Sequence, residues 1–297
     1  MNYRHAFHAG NFADVVKHVV VARILTRLRD KETPFRVIDT HAGEGLYDLA
    51  SEAARTGEWH DGIGRLADAD VGPEAAALLA PYLDAVRAVN GGGELRRYPG
   101  SPVLARHLLR EGDRLIACEL EPHAAAALSR CLHGPSAKVM EIDGYVALKA
   151  CVPPKERRGL VIVDPPFERE DEFARLADGV AAAYRKWPTG IYLVWYPVTR
   201  RNDPGRFVRT LRAGVDKCLR IEWSVAPSRP DGGLTACGVV VVNPPWKLAA
   251  DMAVLARPLA AVLGRRQDGS REGESFVIED LSEQERRPGG RPTHKES

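Results

Sequence analysis

The sequence predicts an α/β fold in which a mostly parallel β-sheet carries helices on both faces. Short aliphatic runs alternate with segments of helical periodicity through most of the chain, and this alternation is typical of βαβ units. The chain has 297 residues, of which 44% are hydrophobic and 28% charged, so it can bury an ample core. We therefore expect one α/β domain with an insertion.

Local signals place the first helix and the first strand. Asn11 is able to cap a helix whose apolar residues recur with a period near 3.6 as far as Leu28, and Pro34 follows the end of this helix. A short buried strand, 35–39, then runs into a glycine turn at 42–45. This strand and turn begin the first βα unit.

A long segment without a clear strand follows the glycine turn. It contains a helical stretch, 73–90, which Pro81 is expected to interrupt, and a single crossover does not need so many residues. We therefore predict a helical insertion. The predicted regions are 1–51 for the N-terminal motif and first βα unit, 52–98 for the insertion, 99–279 for the remainder of the domain and 280–297 for a disordered tail.

Strands and helices alternate in the second half of the chain. Ser101 and Pro102 open a helix, with Ser as the cap and Pro in the first turn. The following strands are predicted at 115–119, 138–142, 160–163 and 191–196, and the helices at 122–132, 145–151 and 173–187. The last two strands, 219–226 and 239–242, form a closing pair joined by a turn at 230–233, and the final strand runs antiparallel.

Composition limits the partners and the compartment. The net charge is only +2, so any nucleic-acid-binding face must be local, and the arginine-rich stretches 96–110 and 200–212 are candidates. Five cysteines are present and none forms a C-x-x-C pair, which is typical of reduced thiols. No signal peptide or membrane-length apolar run is found. We therefore expect a cytoplasmic protein without a membrane partner.

Histidines are frequent near the start of the chain and at the first strand end. They are His5, His8, His18 and His41. A structural or catalytic metal site needs several cysteine, histidine or acidic ligands that are clustered in the sequence or the fold. No such set accompanies these histidines, so no metal is expected.

Acidic residues follow four predicted strands. They are Asp39, Glu119, Asp143 and Asp164. In an open parallel sheet the carboxyl ends of the strands meet at one edge, where ligands bind. The sequence therefore predicts a ligand-binding cleft at this edge.

The first three strand ends indicate how a nucleoside is held. Gly43 lets the backbone approach a ligand closely, but Asp48 occupies the third-glycine position of a dinucleotide fingerprint, so phosphate binding is not supported. A carboxylate at Glu119 suits a ribose diol, and the predicted insertion explains its unusual distance from the glycine turn. Asp143, followed by Gly144, can accept a hydrogen bond from an adenine amino group. A turn-forming Asp-Gly pair is nevertheless the better interpretation of these two residues alone.

The strongest local motif is Asp164-Pro165-Pro166-Phe167, which follows an aliphatic strand. Two prolines fix the backbone and remove two amide donors, which leaves the Asp164 carboxylate and the Pro165 carbonyl as acceptors aimed into the cleft. Phe167 follows at a position where it can stack on a flat ring. This arrangement suits a planar amine whose hydrogens are held by acceptors while its lone pair faces an electrophile.

A second motif, Asn243-Pro244-Pro245-Trp246, has the same pattern. It follows the last predicted strand, which runs antiparallel, so it is expected at the opposite edge of the sheet. We therefore assign the chemistry to Asp164 and a structural role to residues 243–246.

With these motifs in place, the chain resembles the bacterial J-type 23S ribosomal RNA adenine-N6 methyltransferases from Tyr3 to about Glu279. The most specific part is the opening, Tyr3-Arg4-His5-Ala6-Phe7-His8-Ala9-Gly10-Asn11, with Ala13-Asp14 and Lys17-His18. The other matching segments are Asp39-Thr40-His41-Ala42-Gly43, Tyr98-Pro99-Gly100-Ser101-Pro102, Asp164-Pro165-Pro166, Trp195-Tyr196-Pro197 and Asn243-Pro244-Pro245-Trp246-Lys247.

The resemblance implies a class I, Rossmann-like fold for S-adenosylmethionine (AdoMet)-dependent methyltransferases, with a mostly parallel seven-stranded sheet and a small helical insertion. It implies that Asp164 is the catalytic acid and also borders AdoMet, and that Tyr3 lies near the target base. Phe167 stands where the family commonly has Tyr, so a hydroxyl contact is lost. The implied AdoMet contacts are Lys17, His18, His41, Ser101, Glu119, Asp143 and Gly144, to which the strand-end argument adds Gly43.

The implied reaction methylates N6 of a specific adenine in 23S ribosomal RNA. The adenine amine is a poor nucleophile because its lone pair is delocalised into the ring. Hydrogen bonds from N6 to Asp164 and to the Pro165 carbonyl favour a pyramidal nitrogen that attacks the methyl group in line, and Asp164 can take the proton. The base must be flipped out to reach the site. The RNA is expected to be naked or in an early assembly intermediate, and the protein a monomer.

Three alternatives stay open from the sequence. A DNA adenine-N6 methyltransferase shares the Asp-Pro-Pro-aromatic motif, but it normally carries a target-recognition domain for which this chain has little room. Phenylalanine at position 167 also fits ribosomal RNA guanine-N2 methyltransferases. A non-catalytic RNA-binding protein on a Rossmann-like fold would need neither Glu119 nor Asp164, and a measurement of AdoMet binding distinguishes it.

Overall fold

In the computed structural model of the chain, the described residues are 5–199, 203–227, 233–264 and 275–282. The strands within them are β1 (Arg36–Asp39), β2 (Leu46–Asp48), β3 (Arg97–Pro99), β4 (Arg114–Glu119), β5 (Ala137–Glu141), β6 (Gly159–Val163), β7 (Ile191–Val198), β8 (Cys218–Ser224), β9 (Ala236–Val242) and β10 (Ser275–Asp280). The α-helices are α1 (Phe12–Arg29), α2 (Ile63–Leu66), α3 (Pro73–Val89), α4 (Ser101–Leu108), α5 (Pro122–Cys131), α6 (Gly144–Ala150), α7 (Glu172–Lys186), α8 (Pro204–Ala213) and α9 (Leu248–Leu263). Short 3₁₀ helices cover His5–Phe7, Ala53–Thr56 and Glu58–Asp61.

Eight of these strands form one sheet in the order β10-β8-β9-β7-β6-β1-β4-β5. The strands from β7 to β5 in this order are all parallel to one another, whereas β9 is antiparallel to both β7 and β8. The expected mostly parallel α/β fold and its antiparallel closing pair are therefore confirmed.

The main sheet has one strand more than the seven that the sequence predicted. The additional strand is β10, which pairs antiparallel with β8 at the outer edge of the sheet. The hydrophobic pattern of β10 is weak because an edge strand buries little apolar surface. Of its apolar residues, Phe276 and Val277 are exposed, so the segment shows neither an alternating nor a fully buried run.

Some sequence predictions fall on positions outside the described residues. These are Tyr3, Arg200 and Arg201, most of the predicted turn at 230–233, and residues 283–297 of the predicted tail. At the predicted start of that tail, Asp280 ends β10 and Leu281 is buried. The structure thus describes the first residues of the predicted tail, and the disorder of residues 283–297 stays a prediction.

The sheet separates two apolar layers, because successive strand residues point to opposite faces. Leu160 and Ile162 of β6 pack into the larger layer, which includes residues of α1, α3, α4 and α9. Val161 and Val163 pack into the other layer with residues of α7 and α8. With both faces covered, the ligand-accessible part of the sheet is the edge where the parallel strands end.

Helix α1 begins where the sequence places it, since the Asn11 side chain accepts hydrogen bonds of 3.0 Å from the amides of Ala13 and Asp14. The helix contacts α3, α4, α9, β6 and β9 and is buried on nearly all sides. The apolar stripe predicted only one buried face, but the structure also buries Lys17 and Arg23. These polar side chains need partners inside the protein.

The insertion lies between two short strands that the sequence analysis missed. β2 and β3 form an antiparallel pair, and three residues each are too few to show a period. Helix α3 continues through Pro81, which was expected to interrupt it. A proline removes its own amide donor, and the neighbouring Leu79 and Tyr82 are fully buried, so packing against α1, α4 and α9 holds the helix. The separation of 52–98 as a subdomain stays a prediction.

A buried ion-pair network joins α1 to α9. Asp251 accepts hydrogen bonds of 2.9 Å from Nη2 of Arg23 and from Nη2 of Arg27. Arg23 and Asp251 are both buried. Arg23 therefore depends on the Asp251 carboxylate for compensation of its charge, whereas Arg27 also pairs with Asp30.

The variant Asp251→Ala is expected to lower the free energy of unfolding by about 3–5 kcal/mol, because Arg23 stays buried without its counter-charge. Asp30→Ala is the matched control, since Asp30 pairs with Arg27 at 3.7 Å but is well exposed. Its loss is expected to cost less than about 1 kcal/mol. Urea unfolding measures both values, and equal losses would contradict the role assigned to Asp251.

Candidate active site

A cavity of about 830 Å³ opens at the edge where β1, β4, β5 and β6 end; we call it the large cavity. It is lined by ten of the residues singled out from the sequence: Lys17, His18, His41, Gly43, Ser101, Glu119, Asp143, Gly144, Asp164 and Pro165. Phe167 lines a second cavity of about 460 Å³, the small cavity, which shares Lys17, Asp164 and Pro165 with the first. Tyr3 lies outside the described residues.

Glu119 and the glycine turn are locked together at the end of β4. The carboxylate accepts a hydrogen bond of 2.8 Å from the Gly43 amide and bonds of 2.9 Å from the amides of Leu120 and Glu121. Gly43 has a φ of +61°, and a Cβ there would lie 2.3 Å from the Tyr47 hydroxyl. A carboxylate has about four lone-pair positions, so Glu119 is fixed and can still accept hydroxyl donors from a ligand.

The strand end after β5 combines a helix cap with a close backbone approach. Asp143 Oδ1 accepts hydrogen bonds from the amides of Tyr145 at 2.9 Å and Val146 at 3.0 Å, which caps α6. This is the local role that the sequence favoured for an Asp-Gly pair. A Cβ on Gly144 would lie 2.5 Å from His41 Nε2, so only glycine fits here. Burial lowers the pKa of His41 to about 4, and its ring is therefore neutral at physiological pH.

His18 brings an unpaired polar atom to the large cavity. Its Nδ1 is hydrogen bonded to the Tyr98 hydroxyl at 2.7 Å, and the two rings stack with centroids 5.5 Å apart. Burial lowers the pKa of His18 to about 3, so the imidazole is neutral. Its Nε2 is buried and has no partner among the described residues, which leaves it able to make one hydrogen bond to a ligand.

Lys17 links the Asp164-Pro165-Pro166-Phe167 motif to the first helix. Its ammonium group lies 2.6 Å from Asp164 Oδ2 and 2.9 Å from Asp14 Oδ1. Burial would lower the pKa of Lys17, but Asp14 and Asp164 raise it well above its usual value. Asp14 in turn accepts hydrogen bonds from His5 at 2.9 Å and from the Gly10 amide at 3.0 Å. The resemblance implied only a cofactor contact for Lys17, and the structure makes it the ion-pair partner of Asp164.

Phe167 lies in an aromatic cluster at the small cavity. Its ring centroid is 5.0 Å from that of Phe173 and 5.8 Å from that of Trp195, the latter edge to face. Phe167 has a φ of +51°, a strained value for a bulky residue. The two prolines before it and the rings around it hold this conformation, so the side chain borders the cavity from a fixed position.

The look-alike motif lies at the opposite edge of the sheet, as the sequence analysis expected. The Asn243 side-chain amide donates hydrogen bonds of 2.7 Å to the carbonyls of Pro188 and Gly190. These two residues directly precede β7, and β7 runs from them toward the cleft. Asn243 therefore fastens the start of β7 and has no place in the large or the small cavity.

A group that the sequence analysis missed closes one wall of the large cavity. The Tyr145 hydroxyl donates a hydrogen bond of 2.6 Å to Glu172, which is buried. The Arg175 guanidinium lies 4.3 Å from the centre of the Tyr145 ring, a cation–π contact. These residues tie α6 to α7, the helix that follows the Asp164-Pro165-Pro166-Phe167 motif. Their separation along the chain shows no pattern by which they could have been found.

The described residues contain neither a candidate metal site nor a candidate membrane span. No group of three or more histidine, cysteine or acidic side chains is placed to hold a metal ion there. The same part of the chain contains no helix with both the length and the apolar character that crossing a membrane requires.

The features of the large cavity fit AdoMet, the cofactor that the resemblance implies. Its volume lies within the range of small-molecule sites. Glu119 offers carboxylate oxygens at the strand end where a ribose diol is bound in such sheets. His18 offers a buried polar atom without a partner, and the backbone at Gly43 and Gly144 leaves no room for a side chain between it and a ligand.

Asp39 is the one strand-end acid that is completely buried. It is inaccessible to solvent, and neither carboxylate oxygen has a hydrogen-bond partner within the described part of the chain. Burial raises the pKa of Asp39 to about 6, although Ser101 and Lys17 act in the opposite direction. An ionised Asp39 therefore destabilises the folded state in the absence of a ligand.

Comparison with known proteins gives consistent relatives in sequence and structure. Residues 32–277 match the family described as "Ribosomal RNA large subunit methyltransferase D, RlmJ". Ribosomal RNA large subunit methyltransferase J of Escherichia coli is 46% identical over 255 residues, 85% of this chain and 90% of its own length. The protein of the same name from Haemophilus influenzae is 42% identical over 274 residues, 91% of this chain and 96% of its own length. A crystal structure of a Legionella pneumophila protein superposes with a TM-score of 0.82 at 34% identity, over 92% of this chain and 98% of that one.

Asp39→Asn is expected to stabilise the ligand-free protein at neutral pH. The unfolded chain releases the Asp39 proton near pH 3.8 and the folded protein near pH 6, so this carboxyl makes stability fall as the pH rises between these values. The variant is expected to gain up to about 3 kcal/mol at pH 7.5 and nothing near pH 3.8. Urea unfolding across this pH range measures the gain. Asp68→Asn, at an exposed carboxylate, is the control, and a gain independent of pH would contradict the argument.

Proposed function

The chain belongs to the RlmJ family of ribosomal RNA large subunit methyltransferases, and on this basis we propose that it transfers the methyl group of AdoMet to N6 of a specific adenine in 23S ribosomal RNA. The observation that carries this proposal is the position of Asp164, which lines both the large and the small cavity. A methyl donor in one cavity and an amine in the other would meet beside this carboxylate.

In this proposal the large cavity holds AdoMet, which supplies an electrophilic methyl group on a sulfonium. Glu119 accepts hydrogen bonds from the ribose hydroxyls, since its oxygens are already oriented by three backbone amides. The region of Asp143 and Gly144 faces the adenine, and His18 offers its unpaired Nε2. Lys17, His41, Gly43 and Ser101 complete the proposed contacts.

The small cavity receives the flipped target base. Its aromatic wall, with Phe167 and Trp195, offers the faces on which a base stacks. This stacking offsets part of the free energy that is needed to unstack the base from the RNA. Asp164 and Pro165 lie between this wall and the large cavity. The amino group of the stacked base is thereby directed toward the methyl donor.

At the junction of the cavities, the Asp164 carboxylate and the Pro165 carbonyl accept the two hydrogens of the adenine amine. Lys17 holds Oδ2 of Asp164 at 2.6 Å, which fixes the direction of the carboxylate. With both hydrogens held, the nitrogen becomes pyramidal and its lone pair points along the line of transfer. Asp164 then takes the proton that the methylated amine releases.

The N-terminal motif is proposed to close over this junction. His5 bonds to Asp14 at 2.9 Å, and Asp14 bonds to Lys17, so the start of the chain is held beside the catalytic carboxylate. His5 lines both cavities. This placement supports the proposed position of Tyr3 near the target base.

The proposed partner is 23S ribosomal RNA, naked or in an early assembly intermediate, bound by a monomer in the cytoplasm. Arg130, Arg169 and Arg175 line the large cavity, but seven acidic residues line it too, and Arg169 and Arg175 are paired with Asp171 and Glu172. Arg130, at the rim of this cavity, is therefore the proposed phosphate contact. The competing functions are DNA adenine-N6 methylation, ribosomal RNA guanine-N2 methylation and RNA binding without catalysis.

Asp164→Ala is expected to abolish methyl transfer while AdoMet affinity changes by less than about tenfold, roughly 1.4 kcal/mol, because the lost contacts are chiefly to the target amine. Asn243→Ala is the matched control from the look-alike motif. It is expected to retain turnover and to lose thermal stability, since the Pro188 and Gly190 carbonyls lose their donor. Methyl incorporation into 23S ribosomal RNA, with mass-spectrometric identification of the nucleoside, measures the outcome. An active Asp164→Ala protein, or N2-methylguanine as the product, would overturn the proposal.

RNA affinity is expected to fall steeply with salt, because phosphate contacts release counterions. Arg130→Gln is expected to lower the magnitude of the slope of log affinity against log salt by about one for each phosphate contact that is lost. Arg87→Gln, on α3 and paired with Asp84, is the control and should leave the slope unchanged. Filter binding with a ribosomal RNA hairpin measures both slopes. A flat salt dependence contradicts the electrostatic account, and equal methylation of duplex DNA favours the DNA enzyme.

A further inference from the structure

Trp246 is the most exposed large hydrophobic residue of the described chain. Its exposed fraction is 83%, whereas the next, Leu120, reaches 52% and lines the large cavity. Trp187 and Trp223 are buried. Burying an exposed indole against a partner releases free energy. Trp246 is therefore a candidate binding position outside the proposed active site.

The backbone around Trp246 is held in place. Asn243 has a φ of +52° and is fastened by its two side-chain hydrogen bonds, and two prolines follow it. Lys247 has a φ of +70°, and the next residue, Leu248, is fully buried and donates a hydrogen bond of 3.1 Å to the Pro245 carbonyl. The backbone of the corner is therefore ordered before a ligand binds, so binding costs little backbone entropy there.

The surroundings of Trp246 are basic. Lys247 is its neighbour in the chain, and Lys217 lies at the same sheet edge because its carbonyl accepts the Asn243 amide at 2.9 Å. Arg185 and Lys186 end α7, just before the Pro188 carbonyl that Asn243 binds. Two acids lie close to Lys217 in the chain or in the sheet: Asp216, which precedes it and is engaged by the Tyr184 hydroxyl, and Asp280, whose partner in the sheet is Leu219.

An exposed aromatic ring among cations fits a nucleic-acid chain better than an apolar protein surface. Bases stack on aromatic side chains whatever their sequence, while lysines and arginines bind the phosphates. A protein partner of the usual kind would bury an apolar patch. The other exposed large hydrophobics of the described residues are on β10, on α6, at the large cavity and in the N-terminal 3₁₀ helix, so Trp246 stands apart from them.

We propose that Trp246 is a stacking platform for an unpaired nucleotide of the RNA substrate, with Lys217 and Lys247 binding the adjacent phosphates. The identity of that RNA rests on the proposed function. The platform lies at the edge of the sheet opposite to the cleft, roughly 25 Å away along the eight residues of β7. It therefore contributes affinity for RNA beyond the target base and takes no part in methyl transfer.

The test uses a short oligouridylate, which has no adenine for the small cavity. Trp246→Ala is expected to weaken its binding about 5- to 150-fold, the range that corresponds to the stacking of one base, and Trp246→Phe is expected to retain most of the affinity. Val277→Ala, which removes another exposed apolar side chain, is the matched control without an effect. The intrinsic fluorescence of the wild type should be quenched on binding, and this quenching should be smaller in Trp246→Phe.

The outcomes separate this proposal from the proposed function. Methylation of 23S ribosomal RNA by the wild type, together with unchanged oligouridylate affinity in Trp246→Ala, overturns the platform and leaves the enzyme. Loss of oligouridylate binding in Trp246→Ala, with no methylation by the wild type, overturns the enzyme and leaves the platform. Size-exclusion chromatography tests the other occupant: a wild-type dimer that Trp246→Ala dissociates without any change in RNA affinity shows that a second copy covers the indole.

Discussion

The interaction on which the rest of the site depends is the buried ammonium group of Lys17 between Asp14 and Asp164. A charge this far from water is tolerated only with close partners of opposite sign. The requirement explains why α1, although it is the central helix of the larger apolar layer, carries charged residues on buried positions. It also holds the Asp164 carboxylate, the proposed catalytic group, in place through Oδ2.

The Lys17 network connects parts of the protein that the chain order separates widely. Asp14 bonds to His5 in the N-terminal 3₁₀ helix, and Asp164 directly follows the central strand β6. Lys17 and Asp164 line both cavities. The proposed cofactor site, the proposed base site and the start of the chain therefore meet at one ion pair, which is the geometry that a methyl transfer between two bound nucleosides requires.

Sequence reasoning found the parts of the site that topology determines. Acids at the ends of parallel strands must share an edge, so Glu119, Asp143 and Asp164 were grouped correctly without coordinates. Asp39, which was grouped with them, is instead completely buried and does not line the large cavity. It did not find contacts set by side-chain packing between distant segments. The hydrogen bond from Tyr145 to Glu172 joins residues 27 positions apart, and the burial of Lys17 depends on helices that cover α1 from several directions. The hydrophobic periodicity of a single segment carries no information about the Tyr145–Glu172 contact or about the burial of Lys17.

The two Pro-Pro-aromatic motifs show how strand direction decides function where local chemistry is the same. After the parallel strand β6, the motif points its acceptors into the cleft, and its aromatic residue packs with Phe173 and Trp195 at the small cavity. After the antiparallel strand β9, Asn243 turns its amide to the start of β7, and the aromatic residue, Trp246, stands in solvent. Both motifs place an aromatic residue at a corner whose backbone is held. One ring is enclosed beside a carboxylate, where a base can be held for reaction, and the other is open among lysines, where a base can only be bound.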